Sequence, residues 1–284
     1  MHNLVTQTVT TINEFVELHA TASHGSLQIE YRWLNPTLRD APIAVFLHEG
    51  LGSISMWKDW PQTLCDQLGV RGLVYSRPGY GRSTPRSHNA KWPVNFMSIQ
   101  AHEILPEVLN ALDVDMAERH RLWLIGHSDG ASIALLYASE FPGALAGAVV
   151  IAPHVFVEDI SIESITAAKV AYQITDLRAK LSRHHGDVDS AFYGWNDIWL
   201  NPAFRAWSIV DRLPAIRRPL LAIQAYDDHY GTMAQIESIA QHVPGTKLVQ
   251  LERGGHSPHR DECETLTNAI VSFFTAKSRN PPCA

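Results

Sequence analysis

Runs of consecutive apolar residues mark most of the strand-like segments of this chain. Only residues 27–33 alternate apolar and polar side chains, as a half-buried strand does. The other strand-like runs are residues 43–47, 72–76, 122–125, 148–152, 220–224 and 247–251, and helical spacing separates most of them. Apolar strands that alternate with helices are typical of a parallel sheet with helices on both faces. The pattern therefore predicts an α/β fold with a mostly parallel central sheet.

The alternation of strands and helices stops after Pro153 and resumes at Pro219. The sequence between them has helical segments at residues 162–173, 176–184 and 188–200 and no strand-like run. We expect a core of residues 26–153 and 214–278, an inserted helical lid of residues 154–213, a leader of residues 1–25 and a frayed C-terminus of residues 279–284. An insertion at the carboxyl ends of the strands lies over the crevice where open α/β sheets bind ligands.

Composition and charge limit the classes of molecule that the protein is expected to bind. The 284 residues are 45% hydrophobic and 18% charged, with a net charge of −6, which is ordinary for a soluble globular protein. No Lys/Arg-rich run is present, so nucleic acid is not expected. No signal segment and no bilayer-spanning apolar segment is apparent, so we expect a cytoplasmic protein without a membrane partner. A small-molecule substrate is expected, and the sequence leaves open whether the chain forms a homo-oligomer.

Cysteine and histidine spacing gives no sign of a metal site. Cys65, Cys263 and Cys283 have no paired spacing, so neither a disulfide framework nor a zinc site is expected. The adjacent His184 and His185 face different ways on a helix and have no third spaced ligand, so we interpret them as solvated. We expect no metal and no cofactor.

The most informative stretch is Gly126-His127-Ser128-Asp129-Gly130, which follows an apolar strand and begins a helix rich in Ala, Leu and Ile. A serine at such a tight turn takes a strained backbone conformation that exposes its hydroxyl. Glycines on either side let strand and helix approach closely. The helix N-terminus behind Ser128 favours negative charge that develops there.

An acid and a histidine follow later in the chain. A serine hydroxyl needs a base to take its proton and an acid to orient that base. The strand ending at Gln224 continues into Asp227 and Asp228, and the next strand is followed by His256. The carboxyl ends of parallel strands meet at one edge of a sheet, so these groups are expected to lie near Ser128.

These motifs resemble the α/β-hydrolase superfamily, over residues 27–274. The resemblance implies an α/β-hydrolase fold with Ser128 as nucleophile, His256 as general base and an aspartate after strand 220–224 as the group that orients the base. Members often have Gly-x-x-Asp at that point. Because Ala225 stands in the glycine position, the aligned acid is Asp228, and Asp227 is the alternative.

The turn His48-Glu49-Gly50-Leu51-Gly52 resembles the oxyanion loop of the family. The resemblance implies that one oxyanion donor is a backbone N–H in this loop, at Gly50 or alternatively Leu51, and that the other is the N–H of Asp129. The segment Arg77 to Ser83 resembles a turn that supports the site structurally.

The preferred function is hydrolysis of a carboxylic ester, lactone or thioester of a small, fairly apolar molecule by a serine hydrolase. A C–C bond hydrolase of ring-cleavage products would use the same three residues, and a non-catalytic receptor with this fold is the alternative of another class. Aromatic residues of the insertion are expected to line the substrate pocket, and Tyr193 and Trp199 are the candidate substrate-binding residues.

Overall fold

A computed structural model describes residues 13–21 and 24–279, with side chains up to residue 277. Its centre is one eight-stranded sheet in the order β1-β2-β4-β3-β5-β6-β7-β8. The strands are β1 (Glu14–Leu18), β2 (Leu27–Leu34), β3 (Ile43–Leu47), β4 (Arg71–Tyr75), β5 (Leu122–His127), β6 (Gly147–Ile151), β7 (Leu220–Ala225) and β8 (Lys247–Leu251). β1 and β2 are antiparallel, and β3 to β8 are parallel. The mostly parallel sheet expected from the apolar runs is confirmed.

Helices cover both faces of the sheet. They are α1 (Trp60–Leu68), α2 (Phe96–Ile99), α3 (Leu105–Ala111), α4 (Met116–Arg119), α5 (Asp129–Glu140), α6 (Asp159–Ile174), α7 (Leu177–Leu181), α8 (Val188–Trp199), α9 (Ala234–His242), α10 (Pro258–Asp261) and α11 (Cys263–Arg279). α1 and α11 pack on one face, while α3, α5 and α9 pack on the other. Every residue of β3, β5, β6 and β7 is buried, because those strands are covered from both sides.

The domain begins earlier in the chain than the apolar pattern predicts. β1 lies inside the expected leader of residues 1–25, yet it pairs with β2, with Glu14 opposite Tyr31 and Leu18 opposite Leu27. The placement of the whole leader outside the core is therefore corrected. Residues 1–12 and 280–284 lie outside the described residues. α11 continues to Arg279, one residue into the expected frayed C-terminus of residues 279–284.

The segment between β6 and β7 is built from α6, α7, α8 and two 3₁₀ turns, Pro202–Ala206 and Leu213–Ala215. Its only β contact among the described residues is the isolated bridge between Phe156 and Ser208. The segment packs its apolar side onto the core through buried aromatic side chains such as Phe192, Trp199 and Phe204. No helix in the described part of the chain is long and apolar enough to cross a membrane.

Candidate active site

Ser128 occupies a strained turn between β5 and α5. Its backbone dihedrals are φ 54° and ψ −121°, a region that non-glycine residues rarely adopt. A Cβ on Gly126 would lie 2.3 Å from the carbonyl oxygen of Gly130, and a Cβ on Gly130 would lie 2.0 Å from the carbonyl oxygen of Leu47. Both positions therefore need glycine. The turn puts Ser128 at the N-terminus of α5 and at the edge of a cavity.

Three side chains from three strand ends form a continuous chain of hydrogen bonds. Nε2 of His256 lies 2.9 Å from Oγ of Ser128. Nδ1 of His256 lies 2.9 Å from Oδ2 and 3.0 Å from Oδ1 of Asp228. Asp227 does not take part, because its Oδ1 instead accepts the backbone N–H of Gly255 at 2.8 Å. The spacing that favoured Asp228 over Asp227 agrees with this geometry.

The surroundings of Asp228 fix its carboxylate and its charge. Its Oδ1 accepts the backbone N–H of Tyr230 at 2.8 Å, and its Oδ2 accepts an N–H of Gln224 at 2.7 Å. Burial, the largest single effect, raises the pKa of Asp228, but the hydrogen bond and charge of His256 and the N–H of Tyr230 act together against it, and the net pKa is lowered. Burial lowers the pKa of His256, and Asp228 offsets only part of that effect. At neutral pH, His256 is therefore unprotonated and able to accept a proton at Nε2, as a general base must.

The expected oxyanion donors line the same cavity as Ser128. In the part of the chain that the structure describes, the backbone N–H groups of Gly50, Leu51 and Asp129 donate to no protein acceptor. The indole ring of Trp195 covers the loop so closely that a Cβ on Gly50 would lie 2.2 Å from its Cδ1. Gly50 thus leaves room both for the indole ring and for an approaching oxygen atom.

Arg77 and His48 fix the backbone of the expected oxyanion loop, residues 48–52. The N–H of Arg77 donates to Nε2 of His48 at 2.9 Å, and Nη2 of Arg77 donates to the carbonyl oxygen of Glu49 at 2.8 Å. Since Nε2 of His48 accepts, its Nδ1 holds the hydrogen and donates to the carbonyl oxygen of Glu49 at 2.7 Å. This bonding is consistent with the structural role expected for the turn that begins at Arg77.

The interpretation of His185 as a solvated residue is wrong. Its ring is buried; Nδ1 accepts the N–H of Gly81 at 3.0 Å, and Nε2 donates to the carbonyl oxygen of Leu51 at 3.0 Å. His185 thus connects the expected oxyanion loop to the turn that begins at Arg77. The sequence around His185 does not predict this role, because both hydrogen-bond partners lie more than 100 residues away in the chain.

A cavity of about 300 Å³ adjoins Ser128. Ile165, Trp195, Trp199 and Tyr230 form its apolar walls, and His154, which sequence reasoning missed, is one of its polar residues. Tyr193 lies elsewhere and lines a separate cavity with Trp92 and Lys169, so its expected place in the substrate pocket is corrected. Helical spacing explains the error, because residues two apart on α8 point in nearly opposite directions, whereas Trp195 and Trp199, four apart, share a face.

Among the described residues, no group of three or more His, Cys, Asp and Glu side chains is arranged to hold a metal ion.

Comparison with known families identifies the fold. A family model described as "Alpha/beta hydrolase family" matches residues 44–269, well over half of the chain. The protein belongs to the alpha/beta hydrolase family. This match confirms the resemblance drawn from the sequence motifs.

This alpha/beta hydrolase has remote relatives. It is 25% identical over 264 residues to the putative carbamate hydrolase RutD of Variovorax paradoxus (strain S110), covering 83% of this chain and 92% of that one. It is 26% identical over 163 residues to the chloroplastic protein PHYLLO of Arabidopsis thaliana, covering 57% of this chain but only 9% of that protein. The enol-lactonase from Burkholderia xenovorans LB400 is a structural neighbour with a TM-score of 0.69 and 17% identity, covering 88% of this chain and 97% of that chain. This structural likeness shows the fold alone.

Proposed function

We propose that the protein is a serine hydrolase that cleaves a carboxylic ester, lactone or thioester of a small, fairly apolar molecule through an acyl-enzyme. The observation behind this proposal is the hydrogen-bonded series of Ser128, His256 and Asp228 beside an apolar cavity. Each of the three groups has the partner that its role requires. A binding protein would have no need of all three.

Each step of the proposed reaction follows from a contact. Oγ of Ser128 attacks the substrate carbonyl carbon while Nε2 of His256 takes its proton, and the N–H groups of Gly50 and Asp129 bind the oxyanion. His256 then gives the proton to the leaving alkoxide, which departs and leaves the acyl group on Ser128. Water, activated by the same imidazole, releases the acid. Asp228 keeps the hydrogen of His256 on Nδ1, so that Nε2 is free to act as base.

The inserted segment, residues 154–213, acts in this proposal as a lid. Trp195 and Trp199 on α8 and Ile165 on α6 form walls of the cavity above Ser128. A cavity of about 300 Å³ with aromatic walls suits a small apolar substrate. The lid excludes water from the acyl-enzyme and selects the substrate.

The cavity favours an ester over the acids formed by ring cleavage. A dienone acid has a carboxylate that needs a cationic partner, and none of the described residues around the cavity is Lys or Arg. A carbamate differs from an ester by one nitrogen and would undergo the same attack. The similarity to a putative carbamate hydrolase is a reason to test carbamates as well.

The deciding experiment combines an activity panel with active-site labelling. The panel contains p-nitrophenyl esters of increasing length, lactones, thioesters, an aryl carbamate and dienone acids. We expect ester turnover and labelling of Ser128 by a fluorophosphonate, and we expect Ser128→Ala to lose both. The control Ser139→Ala, on the same helix, should retain both, because Oγ of Ser139 donates to the carbonyl oxygen of Leu136 and Ser139 is not one of the described residues around the cavity. Labelling of wild type without turnover of any compound would favour a receptor, and preferred cleavage of dienone acids would favour the C–C hydrolase.

A further inference from the structure

His154 is a buried polar residue of the active-site cavity that has no part in the proposed serine mechanism. It follows β6, and its side chain is 2% exposed. Its backbone is fixed to α5, because Ser132 Oγ donates to the carbonyl oxygen of His154 at 2.6 Å and accepts its N–H at 3.3 Å. The ring is therefore held in place beside the reacting groups.

Among the described residues, the imidazole of His154 has ring neighbours but no hydrogen-bond partner. Its centroid lies 4.9 Å from that of Trp199 and 5.8 Å from that of His256. Neither ring nitrogen hydrogen-bonds any of the described residues, and Nδ1 is fully enclosed. Buried polar groups nearly always have a partner, because an unmade hydrogen bond costs the full desolvation of the group. An imidazole that lines a cavity without one is a candidate to bind a ligand.

The charge state of His154 limits the kind of ligand. Burial above all, with repulsion from His256 once that ring is protonated, lowers the pKa of His154 to about 3, so the ring is neutral near neutral pH. An N–H at the enclosed Nδ1 would have no acceptor, which favours the tautomer with its hydrogen on Nε2. A neutral ring in this tautomer offers a hydrogen-bond donor and no positive charge.

The rest of the cavity points to the same class of ligand. Glu49, Asp129 and Asp261 contribute acidic side chains to the residues around it, and none of the described lining residues is Lys or Arg. A carboxylate or phosphate on the substrate would therefore lose its hydration without gaining a cationic partner. An uncharged oxygen that accepts a hydrogen bond meets no such penalty.

We propose that His154 binds an uncharged acceptor oxygen, such as an ether or carbonyl oxygen, in the non-reacting part of the substrate and so selects esters that have one. This inference rests on the proposed hydrolase function and names a substrate class for the same site. His154 is a specificity residue in this proposal, and the serine chemistry proceeds without it.

The test uses two pairs of esters that differ by one oxygen in place of a methylene. One pair varies the acyl part, p-nitrophenyl methoxyacetate against p-nitrophenyl butyrate, and the other varies the alcohol part, 2-methoxyethyl butyrate against butyl butyrate. The ratio of kcat/KM within each pair is compared between wild type and variants, so that the intrinsic reactivity of each ester cancels. Circular dichroism and thermal unfolding verify that each variant is folded.

We expect His154→Leu to lower the preference for the oxygen-containing ester about tenfold in at least one pair, the effect of one hydrogen bond between uncharged groups. His154→Gln, which can present an N–H near the position of Nε2, should restore part of that preference. His154→Phe replaces Leu if the leucine variant does not fold. The control His120→Ala, at an exposed position away from the cavity, should leave both ratios unchanged.

Ratios that stay at their wild-type values in both pairs for folded His154→Leu or His154→Phe would overturn this inference alone. A wild-type preference for p-nitrophenyl hemisuccinate over p-nitrophenyl butyrate would overturn it too, since that ester has a carboxylate. If wild type cleaves none of these esters but turns over a lactone or thioester of the panel, this inference alone is overturned. If wild type turns over no ester, lactone or thioester, the proposed function fails and this inference fails with it.

Discussion

The indole Nε1–H of Trp199 donates a hydrogen bond to Oδ1 of Asp129 at 3.1 Å. Trp199 belongs to the inserted segment, whereas Asp129 follows the proposed nucleophile, so the bond joins the proposed lid directly to the nucleophile turn. Both side chains are buried. Burial raises the pKa of Asp129 to about 6, despite the guanidinium of Arg77, whose Nη2 lies 3.9 Å from Oδ2. This carboxylate is therefore sensitive to the loss of any partner.

Trp199→Phe should destabilise the protein by about 1–3 kcal/mol, because it leaves a buried acceptor without its donor. In an Asp129→Ala background, Trp199→Phe should lower the free energy of unfolding much less than it does in wild type. The difference between these two losses is the coupling energy of the two side chains. Urea unfolding of the four proteins measures it. Trp207→Phe, another buried tryptophan of the insertion, is the control and should be additive with Asp129→Ala. Additive effects for Trp199 as well would show that the hydrogen bond does not contribute.

Gly50→Ala should lower kcat/KM, because the new Cβ would lie 2.2 Å from Cδ1 of Trp195 and must displace either the ring or the oxyanion loop. We expect a loss of roughly 10²–10³, the usual effect of losing one oxyanion donor. Trp195→Ala should rescue part of that activity by making room. The control Gly143→Ala should leave kcat/KM unchanged, because a Cβ at that position would meet nothing within 4 Å. A folded, fully active Gly50→Ala would remove Gly50 from the oxyanion site.

Asp228→Asn should lower kcat by about 10⁴, as the corresponding change does in a well-studied serine protease. The amide would present N–H groups to the N–H of Tyr230 or to Nδ1 of His256, which disfavours the working tautomer. Asp227→Asn should stay within about tenfold of wild type, because Asp227 accepts the N–H of Gly255 and makes no hydrogen bond to His256 in the described part of the chain. The kcat values of the two variants and wild type are compared by steady-state kinetics on one p-nitrophenyl ester. The reverse order of losses would make Asp227 the orienting acid.

Acid should destabilise the protein below about pH 6.5 through its buried histidines. Burial lowers the pKa of His154 to about 3 and that of His185 to about 4. Histidine in the unfolded chain titrates near 6.5, so between about pH 6.5 and 4 the unfolded state binds protons that the folded state does not. The free energy of unfolding therefore has its full value above about pH 6.5 and falls as the pH is lowered from 6.5 to 4. At pH 5 each such histidine should cost about 2 kcal/mol.

Replacing one of these histidines isolates its contribution. The free energy of unfolding of His185→Gln, measured by urea at pH 7 and pH 5, should fall between the two pH values by about 2 kcal/mol less than that of wild type. His120→Gln, at an exposed position, should reproduce the wild-type difference. An unchanged pH dependence in His185→Gln would mean that His185 is protonated in the folded protein.

The sequence by itself determined the sheet and the order of the proposed catalytic groups. A strand covered on both faces must be apolar at every position. β3, β5 and β6 can therefore be recognised in the sequence as continuous apolar runs. Parallel strands end at one edge, which brings Ser128, Asp228 and His256 together from distant points of the chain. β1 escaped detection because four of its five residues are not fully buried and its apolar pattern is weak.

Only the tertiary structure decided how the inserted segment meets the core. The sequence predicts the aromatic residues of α8 but not how the helix is rotated about its axis, and Tyr193 lines a different cavity from Trp195. The roles of His154 and His185 also arise from packing, because their neighbours come from segments far apart in sequence. Local spacing reports the direction of a side chain within its own element. The partner that a buried polar group meets depends on how separate elements come together.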